Sequence, residues 1–291
     1  MIPAEFDYHR PATLDDAVSM LVAQGEDAKL LAGGHSLLPM MRLRLARPTA
    51  LVDLGGLRST LSYVRDEGGV IAVGAMTRHH DVATDPLLQR RLPLLARAAS
   101  LVGDPQVRHR GTLAGSLAHA DPAADLPAVA LTLDAVLVAR GADGEREIAA
   151  ADFFRGFFES ALQLDEIVRE VRFPVPNDGH GFEYVKFNRR AQDWATVGVA
   201  ALVERDGGGT VSRVAVGLTN MGSTPLRATA VEQALAGSSG DASAVAAAAE
   251  HAADGTSPAG DLAASADYRR HLARVLTRRA LDAALQVSEA R

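Results

Sequence analysis

Two short apolar stretches in the first half of the chain each end in glycine followed by a small hydroxyl residue. They are Ala32-Gly33-Gly34-His35-Ser36 and Thr112-Leu113-Ala114-Gly115-Ser116. Glycine lets a chain turn through positive φ and lets another group approach the backbone where a Cβ would stand. Such segments predict strand-to-helix turns, and the surrounding pattern agrees. Thr13 with Asp16 resembles a capping box that opens an amphipathic helix over Leu14–Gln24. Lys29 to Ala32 reads as a short strand. Ser36 is expected to cap a short helix through Met41, and Ala50 to Asp53 reads as the next strand. Strands alternating with helices at this pitch predict a layered architecture of both.

Further along, Asp66-Glu67-Gly68-Gly69 marks a turn between two strands within Leu61–Ala75, and Gly141-Ala142-Asp143-Gly144 marks a hairpin. The strand Ile167–Phe173 runs into Pro174-Val175-Pro176-Asn177-Asp178-Gly179, the predicted boundary between domains at 1–177 and 178–291. Beyond it three alternating strands are expected, Phe182–Arg189, Thr196–Glu204 and Val211–Leu218. Helices over Ala228–Leu235, Ala242–Ala253 and Tyr268–Gln286 follow. The fold class is α+β, with the second domain an antiparallel sheet carrying helices to one side.

Composition removes several function classes. The net charge is -6 with no block of like charge, where a nucleic-acid binder would show a basic stripe. Cysteine is absent, so disulfides, cysteine-ligated metals and clusters, and thiol nucleophiles are excluded. No apolar run reaches the roughly 18–20 residues of a membrane helix. The first residues lack a charged or apolar leader, so no secretory signal and a cytoplasmic protein are expected. Of 30 basic residues only Lys29 and Lys186 are lysine. Genomic bias toward arginine accounts for that, although a compact charge wanted at those positions would also do so.

The two glycine loops are either ordinary turns or a cradle for an anion. Successive amides with Ser or Thr hydroxyls suit a diphosphate, yet neither loop matches the standard dinucleotide or Walker fingerprints. Lys186-Phe187-Asn188-Arg189-Arg190-Ala191-Gln192-Asp193-Trp194-Ala195 places the only tryptophan in a charged run. It reads as a packed strand end or as an aromatic free to cover a flat heterocycle. His79 and His80 are adjacent and point apart, a poor arrangement for one metal. His109, His119, Asp121 and Asp125 lack a nucleophile elbow or a metal motif, which weighs against hydrolysis.

Five ordered segments together resemble the medium, FAD-binding subunit of the molybdenum hydroxylases, the family of aerobic carbon monoxide dehydrogenase and xanthine dehydrogenase. They are Ala32 to Pro39, Thr112 to Asp125, Lys186 to Ala195, Thr224 to Ala228 and Ser265 to Leu272. The resemblance implies a two-part PCMH-type FAD-binding domain and the family's flavoprotein C-terminal domain. It implies non-covalent FAD. The backbone of Leu30, Leu31, Ala32, Gly33, Gly34, His35, Ser36 and Leu37, and of Thr112, Leu113, Ala114, Gly115 and Ser116, would hold the diphosphate. Asp125 would lie on the cofactor and Lys186 near the flavin. Val102 with Ile167 or Val168 would lie beside the ring, and Trp194 over it. Family members carry two glycines where Ala114-Gly115 stands, so Ala114 is a departure.

No catalytic or metal-ligating residue is expected in this chain. The resemblance places molybdenum–pterin in a large partner subunit and [2Fe–2S] clusters in a small one. It implies a dimer of heterotrimers, in the cytoplasm or at the inner membrane face. The alternative function is a self-sufficient flavin oxidoreductase of the same fold acting on its own small substrate.

Overall fold

The computed structural model describes residues 2–289. Asp7–His9 (β1), Ala28–Leu31 (β2) and Ala50–Asp53 (β3) form a parallel sheet in the order β1-β3-β2. The crossover from β1 to β2 is the helix Leu14–Gln24. At its start the Asp16 N–H donates to Thr13 Oγ1 and the Thr13 N–H to the Asp16 carboxylate, each at 3.0 Å. Two end groups of the helix are thereby satisfied reciprocally. Ala17, Val18 and Leu21 of this helix are buried with Val52, Leu54 and Ile167 in a small core.

The second part is a five-stranded antiparallel sheet. Its strands are Val64–Asp66 (β4), Val70–Gly74 (β5), Val136–Gly141 (β6), Gly144–Ala149 (β7) and Ile167–Pro174, which is β10 because two short strands precede it, Phe154–Gly156 (β8) and Glu159–Ser160 (β9). The order is β4-β5-β10-β6-β7, so the last strand to arrive is central. Between β5 and β6 the chain makes a run of helices, among them Pro93–Ser100, Leu113–His119 and Asp125–Thr132. Leu94, Leu95, Leu113, Leu117, Leu126 and Val129 from these pack with Val171 and Phe173 of β10 in the main core.

The third part is the antiparallel sheet Gly181–Phe187 (β11), Val197–Arg205 (β12), Val211–Thr219 (β13) and Leu226–Arg227 (β14). Here the expectation of alternating strands fails at β12, where every residue from Val197 to Glu204 is buried. Val197, Val199, Ala201 and Val203 join a core with Leu272, Leu276 and Ala280 of the helix Ala266–Glu289. Ala200 and Leu202 belong to the main core of the preceding domain. A sheet covered on both faces reads as a continuous apolar run. Helices therefore lie on both sides of this sheet, and the first domain supplies the second layer.

Candidate functional site

The two glycine loops meet. A Cβ on Gly33 would stand 2.7 Å from the Gly111 Cα and closer still to the Arg110 carbonyl oxygen, so only glycine permits the crossing. Gly34 turns the chain with φ +77, a conformation that side-chain-bearing residues rarely adopt. On the other side of the contact, a Cβ on Gly115 would lie 3.8 Å from that of Ala32. The second loop is fixed by its neighbours. The His79 N–H donates to Gly111 O at 3.0 Å and the Leu113 N–H to Thr77 O at 2.9 Å. Arg78 and Thr112 form an isolated antiparallel bridge.

The loops differ in what their amides do. In the second, Leu113 and Ala114 donate to Thr77 O and Ala75 O, Ser116 to Thr112 O, and Gly115 to Thr112 Oγ1. In the first, the N–H groups of Gly33, Gly34, His35 and Ser36 have no hydrogen-bond partner among the described residues. Gly33 and Gly34 are half-buried and His35 and Ser36 exposed, so these donors are open to an acceptor from outside the chain. Consecutive free amides in a glycine turn make a concavity that suits an anion, and the amides the fold leaves open lie chiefly on the first loop. Ser36 precedes the helix Leu37–Arg42 but makes no side-chain cap, contrary to expectation. His35 is exposed, its Nδ1 3.4 Å from Gly33 O. Leu30 and Ala32 lean on the small core, whereas Leu31 and Leu37 are half-buried. Leu113 and Ala114 bury their side chains in the main core, so the Ala114 methyl points into packed protein.

A second constellation joins the two domains. Lys186, on β11, places Nζ 2.8 Å from Asp125 Oδ2 and 3.2 Å from the carbonyl oxygen of Leu101. Asp125 opens the helix Asp125–Thr132, and Tyr184 donates its hydroxyl to Asp125 Oδ1 at 2.7 Å. The side chains of Lys186 and Asp125 are each 5% exposed. Burial pushes the Asp125 carboxyl upward against the pull of Lys186. Burial also holds the Tyr184 hydroxyl well above its ordinary value. An open cleft of about 400 Å³ runs along β11 past Leu101, Val185, Lys186, Asn188 and Ala191. Val102 is half-buried at the turn beside Leu101, where Arg108 donates to the carbonyls of Val102 and Gly103 at 3.0 and 3.3 Å. Ile167 and Val168 are 1% and 4% exposed. The bulge after Val168 disturbs the β10–β6 register, so this pair can offer a ligand little but backbone. Trp194 lies on the connection between β11 and β12 with 68% of its surface exposed.

Comparison with known proteins identifies the scaffold. The FAD binding domain in molybdopterin dehydrogenase matches residues 4–176. The CO dehydrogenase flavoprotein C-terminal domain matches residues 182–284. The carbon monoxide dehydrogenase medium chain of Hydrogenophaga pseudoflava is 44% identical over 98% of both chains. That of Afipia carboxidovorans is 40% identical over the same shares. A solved structure of the Hydrogenophaga pseudoflava carbon monoxide dehydrogenase, in a form lacking the Mo-pyranopterin moiety, superposes with a TM-score of 0.96 at 45% identity, covering 99% of each chain. The chain belongs to the FAD-binding subunits of the molybdenum hydroxylases.

In this flavoprotein subunit the candidate cofactor residues fall into separate places: the loop crossing, the Asp125–Lys186 pair with Val102 next to Leu101, the buried Ile167 and Val168 on β10, and the exposed Trp194 on the β11–β12 connection. Sequence reasoning missed Tyr184 and Leu101, which complete the buried pair. A signal for Tyr184 was available, since it precedes Lys186 by two residues and so shares its strand face. None existed for Leu101, which contributes only its carbonyl. Lys29, the other lysine, is exposed on β2. Among the described residues no group of His, Cys, Asp or Glu could hold a metal ion. No helix there is long and apolar enough to cross a membrane.

Proposed function

We propose that the chain holds one FAD without a covalent bond and relays electrons from a partner's [2Fe–2S] clusters to an external acceptor. The observation that carries this reading is the row of unpartnered amides from Gly33 to Ser36 at the loop crossing, inside a domain of the FAD-binding family. The flavin, when bound, supplies the ability to take and give electrons singly or in pairs. The chain supplies placement. Amides of the first loop donate to the diphosphate, and the packed second loop holds the first in position. The buried Asp125–Lys186 pair sets the third sheet against the FAD-binding domain and brings the lysine ammonium to the cleft beside Leu101. Trp194 covers the ring from the β11–β12 connection.

Substrate oxidation belongs to another chain in this reading. An iron–sulfur small subunit and a molybdenum–pterin large subunit complete the complex, as a dimer of heterotrimers on the cytoplasmic side. The absence of cysteine keeps thiolate-ligated clusters out of this polypeptide. Likeness to two carbon monoxide dehydrogenase medium chains makes carbon monoxide the first substrate to try on the assembled complex.

Stopped-flow spectra of the lone, FAD-loaded chain test the assignment. Carbon monoxide, purines and aldehydes should leave the flavin oxidised, dithionite should reduce it, and a quinone or dye should reoxidise it. Adding both partner subunits should make flavin reduction substrate-dependent. Rapid reduction of the lone chain by any of these substrates would favour the self-sufficient flavin oxidoreductase instead.

A further inference from the structure

The β8–β9 hairpin breaks the rules of its own turn. Its two connecting residues are Phe157 and Phe158, where two-residue hairpin turns favour Asn, Asp and Gly. Phe158 takes φ +58, a left-handed conformation that a bulky side chain resists. Both rings face outward, 66% and 46% exposed, in a chain with only 4% aromatic residues. A local rule broken without local gain points to function rather than folding.

The tip is also held firmly. The Phe158 N–H donates to Ala120 O at 3.3 Å, and Ala120 is itself left-handed with φ +51. The rings of Phe157 and Phe158 meet edge to face at 4.4 Å, and His119 lies against Phe158 at 4.9 Å. At the root of the hairpin Phe154 contacts the fully buried Phe153 edge to face at 5.2 Å. A rigid pair of exposed aromatics presented this way is the usual anchor of a protein–protein interface, because little entropy is lost when it docks.

We propose that the Phe157–Phe158 tip is a docking plug that enters an apolar pocket on the electron-donating iron–sulfur chain. The proposal rests on the subunit reading above. The choice of partner follows from position. His119 and Ala120 end the helix Leu113–His119, which begins at the loop crossing and spans roughly 10 Å at 1.5 Å per residue. Two residues past Ala120 the Pro122 carbonyl accepts from the Asn220 N–H at 2.8 Å, and the Asn220 side chain donates to the Ala195 carbonyl at 2.8 Å. A chain seated on the tip therefore lies on the side of Trp194, which the reading above places over the flavin ring that an electron donor must approach. The left-handed Phe158 keeps the plug in its docking conformation before the partner arrives.

The test uses the full chain co-expressed with its partner subunits. With a photoreactive benzoylphenylalanine at position 157, illumination should cross-link this chain to the iron–sulfur subunit. A cross-link to the molybdenum subunit, to a second copy of this chain, or to nothing would overturn the plug. Phe158→Gly relieves the left-handed strain, so the isolated chain should unfold at a temperature equal to or above wild type. Its affinity for the iron–sulfur subunit should nevertheless fall about ten-fold or more. Wild-type affinity in Phe158→Gly, or a lowered unfolding temperature, would assign the pair to folding instead. Wild-type chain that binds FAD but no iron–sulfur subunit would overturn both the plug and the subunit reading, whereas binding without the cross-link overturns the plug alone.

Discussion

Lys186 and Asp125 form a buried ion pair of 2.8 Å across the junction of the two domains, 61 residues apart in the chain. Each is almost fully withdrawn from water; Tyr184 donates a further hydrogen bond to Asp125, and the Leu101 carbonyl accepts one from Lys186. Such a pair adds little over an apolar contact of the same shape, but breaking it strands a charge.

Lys186→Met should therefore lower the unfolding free energy by about 3–5 kcal/mol. Combining it with Asp125→Leu should restore much of that loss, since no buried charge then remains. Urea titration followed by tryptophan fluorescence and by circular dichroism measures both. Equal loss in the single and double variants would show that Lys186 stabilises through contacts other than Asp125.

Gly33→Ala places a methyl group against the Arg110–Gly111 backbone, which cannot yield as a side-chain end would. The loops should separate and the purified protein should lose its FAD, with the C-terminal domain still folded. Gly34→Val, at φ +77, should have the same outcome through backbone strain. Full flavin content by absorbance in either variant would move the diphosphate away from the crossing.

Trp194 is the only tryptophan, and it stands two-thirds exposed on its loop. If it covers the flavin, its emission should be strongly quenched in the FAD-loaded protein and recover when FAD is stripped. Trp194→Ala should shift the flavin spectrum, whereas Trp194→Tyr should shift it little. Unquenched emission with an unchanged flavin spectrum would assign Trp194 to the surface alone.

His79 is buried beneath the second loop with Nδ1 unpartnered. Burial, reinforced by the neighbouring His35 and Arg108, pulls its pKa down to about 4. The unfolded chain binds this proton near pH 6.5 and the folded chain only near 4. Stability is then full above pH 6.5 and falls with decreasing pH through that window, by up to about 3 kcal/mol. His79→Phe keeps a ring without the proton and should flatten the profile between pH 6.5 and 4 in thermal unfolding scans. An unchanged slope would place the acid sensitivity in other groups.

Much of this molecule is legible residue by residue because short-range chemistry decides it. The Thr13–Asp16 capping box places the helix Leu14–Gln24 within one turn of sequence. The glycine doublet at 33–34 announces a close approach, and Gly141-Ala142-Asp143-Gly144 marks the turn that joins β6 to β7. The family resemblance is equally local, carried by five short segments in order.

What the tertiary structure decided depends on which surfaces meet. Nothing in Val197–Arg205 says that its second face is covered by helices belonging to the preceding domain, since an apolar run is compatible with several kinds of burial. Local spacing cannot show that Gly33 packs on Gly111 rather than on its own helix, or that the second loop's amides are satisfied by Thr77, Ala75 and Thr112. The pairing of Lys186 with Asp125 is of the same kind. Sequence sets each residue's backbone preference and hydrophobicity, which act over a few residues. Partners dozens of positions away are chosen only when packing of the whole chain fixes the distances between them.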